Sequence, residues 1–280
     1  MPDQLITAES ILQGQTRMTL DDQFSFHCGA DRSCFTACCR DVSIVLTPYD
    51  ILRLKRALRM DSTEFLEKYT LPIFGAPQKF PLPILRMEGE SKKCPFVAEQ
   101  GCRVYGDRPW ACRMYPLGVA KPQNPSAGNQ PFYFVLHEEL CQGHVQGKPH
   151  SVREWIAEQG IEEYEMMGAS FQELVLHDFW NREEPLTPQQ AEMFYMACYD
   201  LDRFRRFVFE SRFREIFELD EARVEALRSD DEELLEFALL WLRFSLFGER
   251  TMKIRREVME AAQPRAADPG STAEVRGGAA

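Results

Sequence analysis

The 280-residue chain is 44% hydrophobic and 28% charged, the composition of a globular protein with one large domain or two small ones. That composition excludes collagen, long disorder and a membrane protein: the longest apolar run, Phe237 to Phe247, is interrupted by Arg243 and falls well short of the ~20 residues of a membrane span. The formal charge of −11 is uneven, with 15 Lys/Arg against 14 Asp/Glu in residues 1–120 and 18 against 30 in residues 121–280. An acidic chain without a basic stripe does not fit nucleic acid as the main partner.

In chain order, residues 1–23 read as a polar lead-in. The first four cysteines follow in loop-type sequence around Gly29, Asp31 and Ser33. Val42 to Leu46 suits a short strand. Thr47-Pro48 then predicts a capped helix to about Leu58, because Thr47 can bond free backbone N–H groups and proline fits the first helical position. Asp61-Ser62-Thr63-Glu64 opens a second helix towards Tyr69. Pro72, Pro77, Pro81 and Pro83 break the next stretch, and Ile84 to Met87 reads as a short strand. Cys94 to Leu117 is a second cysteine segment, residues 121–130 a loop, and Pro131 to Leu136 a strand.

From Ser151 the pattern turns helical. Ser151 and Glu154 form a capping box, with a stop at Gly160. Tyr164, Met167, Phe171, Leu174 and Leu176 share one helical face. A further helix begins at Thr187-Pro188, and Phe194, Ala197, Leu201, Phe204 and Val208 continue at steps of three to four. Asp231 to Phe247 is the last long helix. The reading is therefore an α+β protein: a lead-in (1–23), an irregular cysteine-cluster domain (24–150), a helical region (151–264) and a disordered tail (265–280).

Nine cysteines carry the functional signal, and eight of them fall between Cys28 and Cys141. The N-terminus lacks a basic region followed by an apolar stretch, which predicts a cytoplasmic chain whose thiols stay reduced. Thiolates clustered in that setting are expected to be ligands for zinc or for iron–sulfur iron, not bridges. The spacings are Cys28-x5-Cys34-x3-Cys38-Cys39 and Cys94-x7-Cys102-x9-Cys112, with Cys141 beyond. Eight thiols can supply two four-coordinate sites, or one site with spare thiols. Zinc ribbons use C-x2-C turns that aim two sulfurs at one ion, and none occurs here. An iron–sulfur cluster has separated corners and tolerates irregular spacing, and Cys94-Pro95 is the kind of pair found beside its ligands. A [4Fe–4S] cluster is thus favoured over Zn²⁺.

These residues carry a resemblance. Phe26-x-Cys28, Cys34-x3-Cys38-Cys39-Arg40 and Cys94-Pro95-Phe96 through Gly101-Cys102, Tyr105, Arg108-Pro109 and Cys112-Arg113-x-Tyr115-Pro116-Leu117 resemble the YkgJ-type cysteine-cluster family over roughly residues 24–145. The resemblance implies a zinc- or iron-chelating domain whose site is built from Cys28, Cys34, Cys38, Cys39, Cys94, Cys102, Cys112 and Cys141. A related branch, the flagellin lysine N-methylases, joins a similar cluster to helical regions. A radical-SAM Cys-x3-Cys-x2-Cys pattern would need a cysteine at position 41, which is Asp41.

Arg108 and Arg113 lie beside cysteines and are expected to offset thiolate charge as second-layer partners. His27 and His144 adjoin cysteines and are more often bystanders than ligands. Cys198 belongs to an apolar helical pattern and reads as core. Arg203, Arg205, Arg206, Arg212 and Arg214 alternate with phenylalanines, which fits an amphipathic helix with carboxylate partners better than a nucleic-acid surface. No catalytic triad, phosphate loop or acid–base pair is visible, so enzymatic activity is left open. Three functions stay in play: a metal-binding protein with a structural or electron-carrying centre, a protein-lysine methyltransferase, and a zinc-stabilised interaction module whose acidic helical half meets a protein partner.

Overall fold

A computed structural model of the chain describes residues 14–75, 78–121, 130–145 and 147–262. The expected disordered tail, 265–280, lies outside the described residues. The elements, in order, are β1 (Gln23–Phe26), α1 (Pro48–Leu58), α2 (Ser62–Tyr69), β2 (Thr70–Gly75), β3 (Gln78–Leu85), β4 (Val97–Ala98), β5 (Gly101–Cys102), α3 (Trp110–Met114), β6 (Leu117–Ala120), β7 (Phe132–Val135) and β8 (Lys148–Ser151). The helical half then supplies α4 (Val152–Glu158), α5 (Ile161–Val175), α6 (Pro188–Tyr199), α7 (Leu201–Glu210), α8 (Phe213–Ile216), α9 (Glu221–Ser229), α10 (Asp231–Phe247) and α11 (Arg256–Ala262). Small two-stranded sheets early and helices later make this an α+β fold, as the sequence predicts.

The caps at Thr47, Ser151 and Thr187 form as read, while Asp61 caps α2 through the Thr63 N–H at 2.8 Å in place of the capping box its spacing to Glu64 predicts. Thr47 Oγ1 accepts the Asp50 N–H at 3.1 Å while the Asp50 carboxylate accepts the Thr47 N–H at 2.8 Å. Ser151 and Thr187 close the same reciprocal box on α4 and α6. Each such cap satisfies backbone donors that a helix start leaves open.

The proline-rich stretch departs from expectation. Instead of breaking the chain, it forms the β2–β3 hairpin, in which Pro72 stands opposite Pro83. A two-stranded ribbon has an outer edge on each strand, where a missing N–H costs no ladder bond. Val42 to Leu46 forms no strand of its own; Val45 makes an isolated bridge to Ile84. The continuous helical pattern after Pro188 is also interrupted. Asp200 is buried, accepts Ser62 Oγ at 2.6 Å and Thr63 Oγ1 at 2.9 Å, and caps α7 through the Arg203 N–H.

Two cores hold the molecule. The larger runs from Leu46 to Leu246 and joins α1 and α2 (Ile51, Leu52, Leu54, Phe65) to the helical half (Phe194, Phe204, Leu234, Leu239). Lys55, almost fully buried, adds an ionic tie, with Nζ 2.8 Å from Asp202 and 3.1 Å from Asp231. The smaller core packs Phe24 and Phe26 of β1 against Met114, Leu117, Val152, Trp155 and Ile161. There β1 pairs with β8, Gln23 opposite Ser151. Met18, inside the expected lead-in, is buried and bonded to Tyr133. Both cores therefore cross position 150. Each buried Leu, Ile or Phe contributes ~1.5–3 kcal/mol, so the side chains that α1 and α2 donate to the larger core rival the ~5–15 kcal/mol net stability of a typical domain.

Candidate metal centre

The first cysteine segment is nearly free of regular structure because its backbone turns repeatedly. Only a 3₁₀ turn, Ala37–Cys39, interrupts it, with Thr36 (φ 64°) before and Asp41 (φ 49°) after in the left-handed region. That region is costly for a β-branched residue such as threonine. β1 ends two residues before Cys28, and the buried Phe26 fixes its position. The 141–145 loop lies directly on Phe26. A Cβ at Gly143 would stand 2.4 Å from the Phe26 ring, so only glycine permits this approach. His27 N–H donates to Gly143 O at 2.9 Å, Ser33 Oγ donates to Gln142 Oε1 at 2.7 Å, and Gln142 N–H donates to Cys34 Sγ at 3.3 Å. The result is a hollow lined by Cys28, Cys34, Cys38 and Cys141, with Phe26, Tyr115 and Leu140 as its apolar wall.

The other four thiols, Cys39, Cys94, Cys102 and Cys112, are electrostatic neighbours of one another. Cys94 N–H donates to Cys39 O at 2.9 Å, and the β4–β5 hairpin sets Val97 opposite Cys102. Backbone N–H groups of Phe96 and Val97 lie near the Cys94 sulfur, and that of Val104 near Cys102, while the Val97 N–H donates to Cys94 O at 3.2 Å. Cys112 sits on α3, whose start is pinned by Asp50 Oδ1 accepting the Trp110 N–H at 2.7 Å. Asp50 thus serves two helix starts, and its burial pushes the carboxyl up to about 6. The charges of Cys94 and Cys102 reach Cys112, and those of Cys94 and Cys112 reach Cys39.

Both groups share one electrostatic problem. Burial, then the neighbouring thiols, pushes Cys28 up to about 11 and Cys112 up to about 12. Cys94 and Cys102 are also raised by burial, against the pull of the N–H donors. The Cys39 thiol donates to the Cys38 sulfur, which lowers Cys38 and raises Cys39. Cys28 and Cys112 are solvent-accessible although enough protein surrounds them to penalise charge, as expected of side chains lining a hollow. Several thiolates in one place are costly unless a cation offsets them.

The two arginines differ. Arg108 is buried over the Tyr105 ring at 3.8 Å, bonds Tyr105 O and Gln159 Oε1, and exchanges charge with Cys112 and Cys102. Arg113 is equally buried, but its donors go to the carbonyls of Arg108 (3.0 Å), Gln159 (2.6 Å) and Gly106 and to the Tyr164 hydroxyl (3.2 Å). Its guanidinium lies 4.3 Å from the Tyr164 ring centre. The hydrogen-bonding groups of Arg113 thus tie α3 to α5.

His27 bonds Asp31 at 3.1 Å, and His144 packs on Phe26 and His137. Cys198 is fully buried in the larger core. Of the arginine run, Arg205 pairs with Asp202 and Asp231, Arg203 with Glu192, Arg206 with Asp61 and Arg212 with Glu215. Asp50, Tyr115, Gln142 and Gly143 were not singled out as site residues by sequence. Asp50 is legible as a capping residue, but its second bond, to Trp110, crosses 60 positions.

Among the described residues, no group of three or more His, Cys, Asp or Glu converges on the position of a single ion. No helix among them is long and apolar enough to cross a membrane. Residues 27–155 match the CxxCxxCC family model, described as "Putative zinc- or iron-chelating domain", and the match takes in all eight clustered cysteines. No curated protein and no solved structure matches the chain.

Proposed function

We propose that the chain, whose residues 27–155 match the model of this zinc- or iron-chelating family, is a metal–thiolate protein that holds iron–sulfur in its cysteine-lined region, as a structural or electron-carrying centre. The observation that carries this reading is the hollow lined by Cys28, Cys34, Cys38 and Cys141, where the Gln142 N–H donates to Cys34 Sγ at 3.3 Å. An N–H donor of this kind stabilises the thiolate, the form that binds metal. Hydrogen bonds to cluster sulfurs are also a main control on reduction potential.

Iron–sulfur is preferred to zinc on two grounds. The chain has no C-x2-C turn, and Cys38 and Cys39 are adjacent, which suits the separated corners of a cluster better than one small tetrahedral ion. The electron-carrying role draws support from the accessibility of Cys28 and Cys112, which would bring a centre near the surface where a partner could exchange electrons. Anaerobic purification of the full chain with iron, sulfide and zinc analysis tests the proposal. A brown protein with near-equal iron and acid-labile sulfide, reducible by dithionite, supports it; stoichiometric zinc with no sulfide refutes it.

A further inference from the structure

We infer that Cys34 and Cys141 are a thiol–disulfide pair: in the metal-free chain, peroxide joins their sulfurs in a reversible bridge that staples the first cysteine segment to the 141–145 loop. The bridge does not rest on the metal–thiolate reading. Where these sulfurs hold metal, bridge and metal exclude each other, so oxidation would release it.

The geometry brings the two side chains together. Gln142 N–H donates to Cys34 Sγ at 3.3 Å, and peptide geometry puts the Cys141 Cα about 2.4 Å from that nitrogen, so the Cys34 sulfur lies within about 6 Å of it. A disulfide needs Cα atoms roughly 4.4–6.8 Å apart, and a cysteine sulfur sweeps about 3 Å between staggered rotamers, so rotation of the two side chains is enough to join them. Ser33 Oγ donates to Gln142 Oε1 at 2.7 Å, so residues 33 and 34 both grip Gln142. Cys34 and Cys141 also line one hollow, which has room for about one water molecule. Neither stands in a helix or strand, so the backbone can follow a small shift. No three of the described His, Cys, Asp or Glu side chains converge on an ion, but a bridge needs only two sulfurs.

The neighbouring thiols are placed differently. The Cys39 thiol donates to the Cys38 sulfur, which engages that pair with itself. Cys28 is exposed at the hollow, which therefore opens to solvent and admits peroxide. Cys198 is fully buried in the larger core, away from any oxidant.

The chemistry balances. Hydrogen peroxide oxidises one thiol to a sulfenic acid and releases water. The second thiol attacks that sulfur, the S–S bond forms, and the hydroxyl leaves with the second thiol's proton as water. The pair gives up two electrons and two protons, and one peroxide becomes two waters. A small thiol such as dithiothreitol reverses the step by exchange, ending as its own disulfide. The bridge would join residues 107 positions apart, and it would hold a segment, residues 27–43, in which no residue is buried.

The test uses the full chain, reduced and freed of metal by a chelator, then treated with hydrogen peroxide. Free thiols are alkylated and the peptides mapped by mass spectrometry with and without dithiothreitol. Alkylation should fall from nine thiols to about seven, with Cys34 joined to Cys141 and the link lost on reduction. Amide exchange at residues 27–43 should slow in the bridged chain. Cys34→Ser and Cys141→Ser should each lose the link; where a variant fails to fold, the wild-type map decides. Nine alkylated thiols after peroxide, sulfinic acid at Cys34 without a bridge, or Cys28 as the main partner of either sulfur overturns the inference. A chain that takes up no metal refutes the metal–thiolate reading and leaves this result to stand alone, because the oxidised sample is metal-free.

Discussion

Arg113 offers the sharpest test of how the cysteine segment is held. The expectation from its position beside Cys112 is a positive charge that offsets thiolate. The structure instead gives its hydrogen bonds to the carbonyls of Arg108, Gln159 and Gly106 and to Tyr164. Gly160 sits so close that a Cβ there would stand 3.3 Å from Nη1. Arg113→Ala would leave three carbonyls without their donor. Hydrogen bonds to charged groups contribute ~1.5–3 kcal/mol each, so three would sum to ~4–9 kcal/mol if additive. Water entering the vacated space and the relief of burying a guanidinium reduce this, and ~3–5 kcal/mol is the expected loss.

Arg113→Lys separates the two roles. Lysine keeps the charge but not the planar fork that reaches several carbonyls at once. Urea unfolding of the metal-depleted chain should therefore show most of the Arg113→Ala loss in Arg113→Lys as well. In the loaded protein, resistance to a chelator should fall in step with stability in both variants. If Arg113→Lys restores stability and metal retention together, or if Arg113→Ala costs under ~1 kcal/mol, the cross-link argument fails and charge compensation takes its place.

Cys38→Ser, Cys39→Ser and Cys112→Ser should each lower bound metal, whereas Cys198→Ser, in the fully buried core, should cost ~1–3 kcal/mol and leave metal content unchanged; metal analysis beside a thermal melt checks both. A 151–262 fragment should lack a cooperative melt, because the larger core needs Ile51, Leu52, Leu54 and Phe65 from outside it; a sharp transition by circular dichroism would show that the helical half folds alone. Lys55→Met should cost ~1–3 kcal/mol, because Asp202 and Asp231 lose their most buried cation but keep Arg205. Burial alone would raise both carboxyls, but bonds from Lys55 to Asp202 and from Arg205 and Lys55 to Asp231 outweigh it and hold them below 3.8. Their contribution is full above that value and is lost as pH falls through the lower folded values, so wild-type stability should drop below pH ~4 and the drop should shrink in Lys55→Met.

What the sequence conveyed and what it withheld follow from range. Thr47, Ser151 and Thr187 act within three residues, so their caps are legible as spacing, and periodicity finds the buried Tyr164 and Leu174 of α5 but wrongly adds Leu176, which lies past the helix end and is exposed. The clustering of eight cysteines is legible as composition. Which thiols meet is not, because that depends on which loop each thiol faces: Cys141 joins Cys34 across 107 positions through the Gln142 N–H, which no local pattern encodes. The break at Asp200 escaped periodicity for the same reason. Apolar residues on both sides keep helical phase, and only the hydroxyls of Ser62 and Thr63, about 140 positions away, make it favourable to stop.

The arrangement of cores bears on what the metal does for the fold. α1, α2 and the helical half share one apolar interior, and β1, β8 and α4 share another, so both assemble from side chains that need no ligand. Residues 27–43 differ: the only helical turn or strand among them is Ala37–Cys39, and none of these residues is buried. A segment with so little apolar burial has little to offset the entropy of ordering it. Bonds such as Gln142 N–H to Cys34 Sγ position the loops, and a shared metal centre would lock them. Metal therefore acts locally. Chelation should leave the helical circular-dichroism signal and the cooperative melt of the cores, while amide exchange speeds up at residues 27–43 and in the 141–145 loop. A chain whose helices melt on chelation would place the metal at the centre of the fold and not on its margin.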